Sequence, residues 1–256
     1  MCTVAFLPVA DGYLLAHNRD ESFKRAHGVP PARHAEGGRR FLAPRDPDGR
    51  GSWIGVNDAG VTACVLNAAE SDACGLPAAP RSRGLVLWSL LPLDSIDAVR
   101  GKLLHDRSRL VDVRAFQLVV AEPPRRGVEA VTGWMRWDGA RLTSGRREGP
   151  ALYVSSGYDQ VGAERERALS WARFREPRGT GSSGEDPRRL ARALGSWMTS
   201  HEPVQGPLSV CMHGARAATV SSTLVRVHGG RAAVRYHDGR PCDGSAPEIF
   251  RALPLR

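Results

Sequence analysis

Lysine is almost absent from this chain of 256 residues, because Lys24 and Lys102 are the only two among 36 basic side chains. The formal net charge of +9 is therefore carried almost wholly by arginine. The arginines are scattered in pairs, such as Arg39-Arg40 and Arg188-Arg189, and do not gather on one helix. A nucleic-acid-binding surface concentrates its positive charge. We therefore do not expect a nucleic acid partner, whereas a small acidic ligand is compatible with this pattern.

Long hydrophobic runs are missing as well. The longest apolar stretches, such as residues 84–93, are far shorter than the roughly 20 residues that a helix needs to cross a bilayer. The chain opens without a basic segment, and Pro8 and Asp11 interrupt the first apolar run too early for a secretory signal. These absences predict a cytoplasmic protein without a membrane segment. The length suits a single domain, which we place at residues 1–256.

Disulfide, metal and phosphate-binding signatures are also scarce. The five cysteines are an odd number at irregular spacing, and no CxxC pair is present. We therefore expect no disulfide framework, no structural zinc site and no resident cofactor. Glycine-rich phosphate loops are absent, and Ser221 lacks the GxSxG context of a serine hydrolase. The cysteines are Cys2, Cys64, Cys74, Cys211 and Cys242.

Apolar runs separated by turn residues predict hairpins. Residues 3–8 and 13–17 flank Asp11-Gly12, and residues 53–56 and 61–66 flank a turn at residues 57–60. Between these hairpins, residues 18–51 show no clear period and are predicted to form a long loop. Further strands are predicted at residues 116–121, 128–137, 209–212, 218–228 and 232–237, and irregular segments at residues 68–81 and 178–186.

Helices are predicted where capping residues precede periodic apolar residues. Ser82 begins a helix that runs to Leu91, and Asp94 or Ser95 begins one that runs to His105. Two more are predicted, an amphipathic helix over residues 161–175 and one over residues 187–200 with Asp186 as its cap. Helices thus lie in groups between groups of hairpin-connected strands. This order favours an α+β fold of two packed, largely antiparallel sheets with helices outside, although other α+β arrangements stay open.

Cys2 is the first candidate for chemistry. Removal of Met1 leaves a chain that begins with a thiol and an α-amino group on the same residue. Their reference pKa values are about 8.5 and about 8, so the amino group can act as the base for the thiol without a separate histidine. Cys2 taken alone could equally be an incidental second residue.

A cluster of polar residues is predicted to lie beside Cys2. The predicted hairpin returns the end of its second strand, His17-Asn18-Arg19-Asp20-Glu21, to the side of Cys2. Cations and hydrogen-bond donors beside a thiol lower its pKa and can hold a substrate carbonyl. Asn67 ends a predicted strand, where its amide could stabilise an oxyanion, although asparagine is also common in turns.

Several motifs, taken in order, resemble the NRDE family, the relatives of transport and Golgi organization protein 2. They begin with Met1-Cys2-Thr3, Asn18-Arg19-Asp20-Glu21-Ser22 and Gly51-Ser52-Trp53-Ile54-Gly55-Val56-Asn57. Further matches are Ser82-Arg83-Gly84, Ser209-Val210-Cys211-Met212-His213, Ala218-Thr219-Val220-Ser221 and Gly239-Arg240-Pro241-Cys242. The matches span nearly the whole chain.

That family is similar to the N-terminal-nucleophile hydrolases, so the resemblance implies a four-layer αββα sandwich. Choloylglycine hydrolases also open with Met-Cys-Thr and carry an R-N-x-D run after the first hairpin. Asn18 and Asp20 match that run, whereas Arg19 lies at a different position from its arginine. The resemblance implies Cys2, Asp20 and Asn67 as catalytic residues, and Asn18, Arg19 and Trp53 as substrate-binding residues.

Two functions therefore stand, each with a small-molecule ligand and with the oligomeric state left open. The first is an amide hydrolase or acyl transferase with Cys2 as the nucleophile. The second is a non-catalytic carrier of haem, an acidic lipid or acyl-CoA. The arginine excess motivates it, because guanidinium groups suit propionate, carboxylate or phosphate groups, and the family's resemblance to a protein of haem trafficking agrees with it. His17, Cys211 and His213 are then the candidate haem ligands, although a predicted strand at residues 209–212 favours a buried structural cluster. A nucleic-acid-binding role is a distant third.

Overall fold

The computed structural model describes residues 2–69, 76–125, 128–176, 186–244 and 247–256. Within them, the first half of the chain contains six strands and two helices. These are β1 (Cys2–Val9), β2 (Gly12–Ser22), β3 (Val29–Glu36), β4 (Arg39–Arg45), β5 (Ile54–Asn57), β6 (Thr62–Asn67), α1 (Arg83–Leu90) and α2 (Ile96–His105). The remainder are β7 (Phe116–Glu122), β8 (Val131–Trp137), β9 (Leu142–Arg147), β10 (Ala151–Ser155), α3 (Gln160–Arg175), α4 (Pro187–Trp197), β11 (Ala217–His228), β12 (Arg231–Asp238) and β13 (Glu248–Pro254).

The strands form two sheets whose neighbours all pair antiparallel. The first sheet has the order β10-β1-β2-β11-β12-β13, and the second follows the chain as β3-β4-β5-β6-β7-β8-β9. In the first sheet, β1 and β2 lie between other strands and are buried over almost their whole length. The amino terminus of the described chain therefore begins in the interior of the molecule.

The two sheets pack face to face. Alternate residues of β1, which include Val4 and Phe6, join a core shared with the second sheet. Tyrosine hydroxyls connect the sheets through this core: Tyr13 lies 2.6 Å from Thr62 Oγ1, and Tyr153 lies 2.8 Å from Thr132 Oγ1. Each pair satisfies two buried hydroxyls and fixes how one sheet sits on the other.

Helices cover the outer faces. The other face of β1 packs its apolar residues against α3 and α4, where the rings of Trp171 and Trp197 lie 5.0 Å apart. On the second sheet, a Cβ at Gly133 would lie 2.4 Å from Ile96 of α2, so glycine allows the helix to approach the strand. The layers are therefore helices, sheet, sheet, helices, as the fold prediction requires.

Most of the local predictions are confirmed. The hairpins β1–β2 and β5–β6 form, and α1, α2 and α4 begin at side-chain caps from Ser82, Ser95 and Asp186. The helix predicted over residues 161–175 is α3. No helix in the described part of the chain is long and apolar enough to span a membrane.

Two predictions are wrong. Residues 18–51 are not one long loop, because β2 continues to Ser22 between β1 and β11 and the hairpin β3–β4 follows. Residues 209–212 do not form a strand. The Cys211 N–H donates to Ser200 O at 2.9 Å, and the Met212 N–H to Thr219 Oγ1 at 2.8 Å, in place of a neighbouring strand. Strands β10 and β13 are not among the predicted strands, and most of the loop predicted at residues 178–186 lies outside the described residues.

Candidate active site

Cys2 belongs to a row of polar residues that crosses the first sheet. Its Cα partners are Ser155 on one side and Arg19 on the other, and Arg19 is followed across the sheet by Ser221 and Asp238. Because residues in one row point to the same face, these side chains all face the second sheet. The next row inward begins the apolar core with Val4. The row therefore forms a polar edge at one end of the space between the sheets.

A cleft of about 370 Å³ opens at this edge. Five of the six residues predicted for the site line it: Cys2, Arg19, Asp20, Trp53 and Asn67. Asn67 is exposed at the end of β6, on the opposite sheet from Cys2. The other lining residues include four further arginines and three further acidic residues, namely Arg25, Arg81, Arg83, Arg114, Glu21, Asp46 and Asp48.

Arg19 forms one wall of the cleft. Its guanidinium carbon lies 4.0 Å from the centroid of a Trp53 ring, and its Nη2 lies 3.7 Å from carboxylate oxygens of both Glu21 and Asp46. The side chain is only 6% exposed, so water screens these interactions weakly. The aromatic face and the two carboxylates hold the cation beside Cys2.

The surroundings of the Cys2 thiol raise its pKa overall, because burial is the largest of several opposing effects. Burial raises its pKa, and the charge of Asp20 raises it further. The positive charges of the amino terminus and Arg19 lower the pKa, as does a hydrogen bond from the backbone N–H of Asp20. Asp20 therefore reaches the thiol through its backbone.

The Asp20 carboxylate itself points to the helix side of the sheet. Its Oδ2 lies 3.2 Å from Nη1 of Arg167, and its Oδ1 accepts a hydrogen bond of 2.6 Å from Thr219 Oγ1. Arg167 also donates to Thr3 Oγ1 at 2.6 Å, and neither charged side chain is exposed. Arg167 was not identified from the sequence, yet it shares a helical stripe with Ala163, Ser170 and Trp171. An arginine in the buried stripe of an amphipathic helix is the signal that could have found it.

Asn18 does not line the cleft. Its Nδ2 donates to Met198 O at 2.9 Å and to Val210 O at 3.0 Å, on the same side of the sheet as the Asp20 carboxylate. Alternation along β2 places Asn18 and Asp20 on one face, and His17 and Arg19 on the other. The structure thus gives Asn18 contacts that hold the segments around residues 198 and 210.

Glycines shape the opposite wall. A Cβ on Gly51 would lie 2.0 Å from the carbonyl carbon of Gly84, and the Ser52 N–H donates to Gly84 O at 3.2 Å. Two of the motifs noted in the sequence therefore meet backbone to backbone. This contact sets Trp53 and the first turn of α1 on the rim of the cleft.

The first sheet separates His17 from the other two candidate haem ligands, Cys211 and His213. His17 faces the second sheet, is fully buried, and has a pKa that burial lowers to about 3. The segment that contains Cys211 and His213 lies on the helix side, where Asn18 bonds to Val210. There the two residues form a cluster with His201 and Cys242.

A comparison with protein families identifies the family of this chain. The family model described as Transport and Golgi organisation 2 matches residues 1–133, more than half of the chain, so the chain belongs to that family. No curated protein sequence matches it significantly.

Solved structures extend the likeness to the whole chain. A conjugated bile acid hydrolase from Clostridium perfringens, solved as a cysteine-to-alanine mutant, has a TM-score of 0.52 at 10% identity over 100% of this chain and 97% of that one. The Caenorhabditis elegans orthologue of N-acylethanolamine-hydrolyzing acid amidase has a TM-score of 0.53 at 12% identity over 100% of both chains. Both neighbours are N-terminal-nucleophile hydrolases, and the chain shares their fold.

Proposed function

We propose that this family member is a cysteine amidohydrolase or acyl transferase in which Cys2, freed of Met1, attacks a small non-peptide amide or acyl compound. The observation that carries the proposal is the place of Cys2 in the cleft. Cys2 begins an interior strand, so its thiol is fixed there by strand pairing on both sides, with Arg19 and the Asp20 N–H against it. A positioned cysteine beside a cation and a donor is the arrangement of a reactive thiol.

The proposed reaction begins with proton transfer from the Cys2 thiol to its own α-amino group. The sulfur then attacks the substrate carbonyl carbon, and Asn67 and nearby backbone N–H groups stabilise the negative oxygen of the tetrahedral intermediate. The C–N bond breaks as the leaving amine takes the proton, which leaves a thioester on Cys2. Water completes hydrolysis by attacking the thioester, whereas an acceptor amine or alcohol in its place completes acyl transfer.

The remaining site residues have supporting roles in this proposal. Arg19 and Trp53 bind the substrate from one wall of the cleft. Asp20 is a positioning residue, because its carboxylate is held by Arg167 and Thr219 while its N–H faces the thiol. One structural neighbour is named a conjugated bile acid hydrolase and the other an N-acylethanolamine-hydrolyzing acid amidase, and the second name supports an amide as the substrate class here.

Intact-mass analysis after treatment with a thiol-reactive acyl probe tests the proposal. We expect a mature chain without Met1 that gains one acyl group, with peptide mapping placing that group on Cys2. The Cys2→Ala variant should lack the label, and Cys64→Ala is the matched control, because Cys64 is buried in the neighbouring core. Retention of Met1, or equal labelling of Cys2→Ala and the wild-type chain, would refute the proposal.

A second candidate function is favoured by the arginines of the cleft. Arg19, Arg25, Arg81, Arg83 and Arg114 could bind the carboxylates of haem, an acidic lipid or acyl-CoA without any reaction. In that case, Cys2→Ala should bind hemin or a fatty acyl-CoA as tightly as the wild-type chain does. Titration of both chains followed by absorbance or calorimetry separates the two functions, because a carrier keeps its affinity without the thiol. No binding of either ligand would exclude the carrier.

A further inference from the structure

A compact cluster of four sulfur and nitrogen ligands lies on the helix side of the first sheet, away from the cleft. It consists of His201, Cys211, His213 and Cys242, whose ligand atoms all lie within 4.8 Å of one another. His201 follows α4, Cys211 and His213 precede β11, and Cys242 follows β12. Cys211 is buried and the other three side chains are partly buried.

Hydrogen bonding alone does not account for the convergence of these groups. His213 Nε2 lies 3.1 Å from His201 Nε2, 3.4 Å from Cys242 Sγ and 3.8 Å from Cys211 Sγ. A neutral imidazole nitrogen either donates one proton or accepts at one lone pair, so it satisfies one such neighbour at a time. A common partner between the four groups explains why all of them point to one place.

The separations fit a tetrahedral metal ion. Zinc binds histidine nitrogen at about 2.1 Å and cysteine sulfur at about 2.3 Å, which places two nitrogens about 3.3 Å apart and a nitrogen and a sulfur about 3.6 Å apart. The three distances from His213 Nε2, which are 3.1, 3.4 and 3.8 Å, scatter around these values, and all four ligand atoms lie within 4.8 Å of one another. The donor set contains no carboxylate, which disfavours calcium and magnesium, whereas two sulfurs and two nitrogens are typical of zinc.

We propose that His201, Cys211, His213 and Cys242 form a structural Zn²⁺ site. Two thiolates neutralise the two charges of the ion, which suits a partly buried position. Four protein ligands leave no open coordination position, so the site is structural. Gln205 Nε2 lies 3.2 Å from His213 Nδ1 and 3.3 Å from His213 Nε2. Turning the amide over, which exchanges its nitrogen and oxygen, lets the oxygen accept the Nδ1 proton while Nε2 binds the metal.

The segments that carry the proposed zinc ligands also contact Asn18 and Asp20 of β2. The Met212 N–H donates to Thr219 Oγ1, which in turn donates to the Asp20 carboxylate. Val210 O accepts from Asn18. Zinc binding at Cys211 and His213 therefore braces the backbone that positions Asn18 and Asp20. The proposal does not depend on whether Cys2 is catalytic.

Metal analysis of the purified full-length chain tests the site. After expression in zinc-supplemented medium, we expect about one zinc per chain, and its loss in both Cys211→Ser and Cys242→Ser. Two variants should retain the zinc: Cys2→Ala, which removes a thiol of the cleft, and His228→Gln, which changes a histidine at the far end of β11. Replacement by Co²⁺ should give the intense visible absorption of a tetrahedral site with a thiolate charge-transfer band, which Cys242→Ser weakens.

Three outcomes would overturn the proposal. They are a wild-type chain that binds no zinc after refolding with it, equal metal content in the wild-type and both cysteine variants, and an intact mass lower by two hydrogens that maps to a Cys211–Cys242 disulfide. If the variants do not fold, a thiol-blocking mercurial applied to the wild-type chain gives the same information. It should release zinc to a chromogenic chelator, and no release overturns the site.

Discussion

The guanidinium of Arg19 lies over the ring of Trp53, 4.0 Å from its centroid. The two residues are far apart in the sequence and belong to different sheets, since Arg19 is in β2 and Trp53 directly precedes β5. Their contact joins the two motifs into one wall of the cleft. Because Cys2 is the strand partner of Arg19, the same contact also fixes a positive charge beside the thiol.

Removal of this charge should make Cys2 less reactive at neutral pH. Arg19 lowers the pKa of the Cys2 thiol, so Arg19→Gln raises that pKa and leaves less thiolate. The pH of half-maximal labelling by iodoacetamide, measured on Cys2 by peptide mass spectrometry, should move upward. Arg25→Gln is the matched control, because Arg25 also lines the cleft and pairs with Asp46. An equal upward movement in both variants would show that general cleft charge, and not Arg19, governs the thiol.

Hairpins and helix caps could be predicted from the sequence because their causes are local. Ser82, Ser95 and Asp186 act on N–H groups two or three residues away, and Asp11-Gly12 closes β1 on β2 directly. The place of Arg19 opposite Cys2 could be predicted for the same reason, since one hairpin pairs the two residues. Asn18 and the Asp20 carboxylate, which were expected in the same cluster, face the other side of the sheet. The end of a predicted strand selected Asn67, whereas the resemblance to a known family supplied Trp53, which periodicity alone did not select.

Contacts between distant segments could not be predicted in this way. Residues 18–51 have no clear period, because Arg19 and Asp20 are polar residues buried by pairing with other segments and not by an apolar pattern. Arg167 is more than a hundred residues from Asp20, and no local signal links the two. The four ligands between His201 and Cys242 likewise lack CxxC spacing, so only the folded chain brings them together.

Breaking the buried Arg167–Asp20 pair should be strongly destabilising. Arg167→Met leaves the Asp20 carboxylate buried without its cation, which typically costs about 3–5 kcal/mol in the free energy of unfolding. Urea unfolding followed by circular dichroism measures the loss. Arg167→Lys should recover part of it, because the ammonium keeps the charge.

The same helix offers a control for this change. Arg165 is 71% exposed and pairs with the adjacent Glu166, so Arg165→Met should change the free energy of unfolding by less than about 0.5 kcal/mol. Similar losses from Arg165→Met and Arg167→Met would mean that helix propensity, and not the buried pair, is responsible.

Gly51→Ala should disturb the wall of the cleft. Its Cβ would lie 2.0 Å from the backbone of Gly84, so the two segments must separate at a cost of about 1–3 kcal/mol. Gly101→Ala is the matched control, because Gly101 lies in α2 with nothing within 4 Å of an added Cβ. That change should be stabilising by up to about 1 kcal/mol. Thermal unfolding of both variants checks the prediction, and a Gly51→Ala chain as stable as the wild type would contradict the close packing.

His17 should make the protein less stable in acid. Burial lowers its pKa to about 3 in the folded chain, and both ring nitrogens are buried without a hydrogen-bond partner among the described residues. In the unfolded chain the pKa is about 6.5, so between these values the unfolded state binds one more proton than the folded state. His17 therefore contributes stability that is fully present above pH 6.5 and is lost as the pH falls toward 3, by about 1.4 kcal/mol for each unit of pH.

The variant His17→Leu separates this contribution from those of other groups. Leucine removes the titrating ring and both unpaired nitrogens, so the free energy of unfolding should fall less steeply between pH 6 and pH 4 than it does for the wild-type chain. Urea unfolding at several pH values measures the two slopes, and their difference should approach the value expected for one proton. Parallel slopes would show that His17 is protonated in the folded chain, which means that water or another group reaches its ring between the sheets.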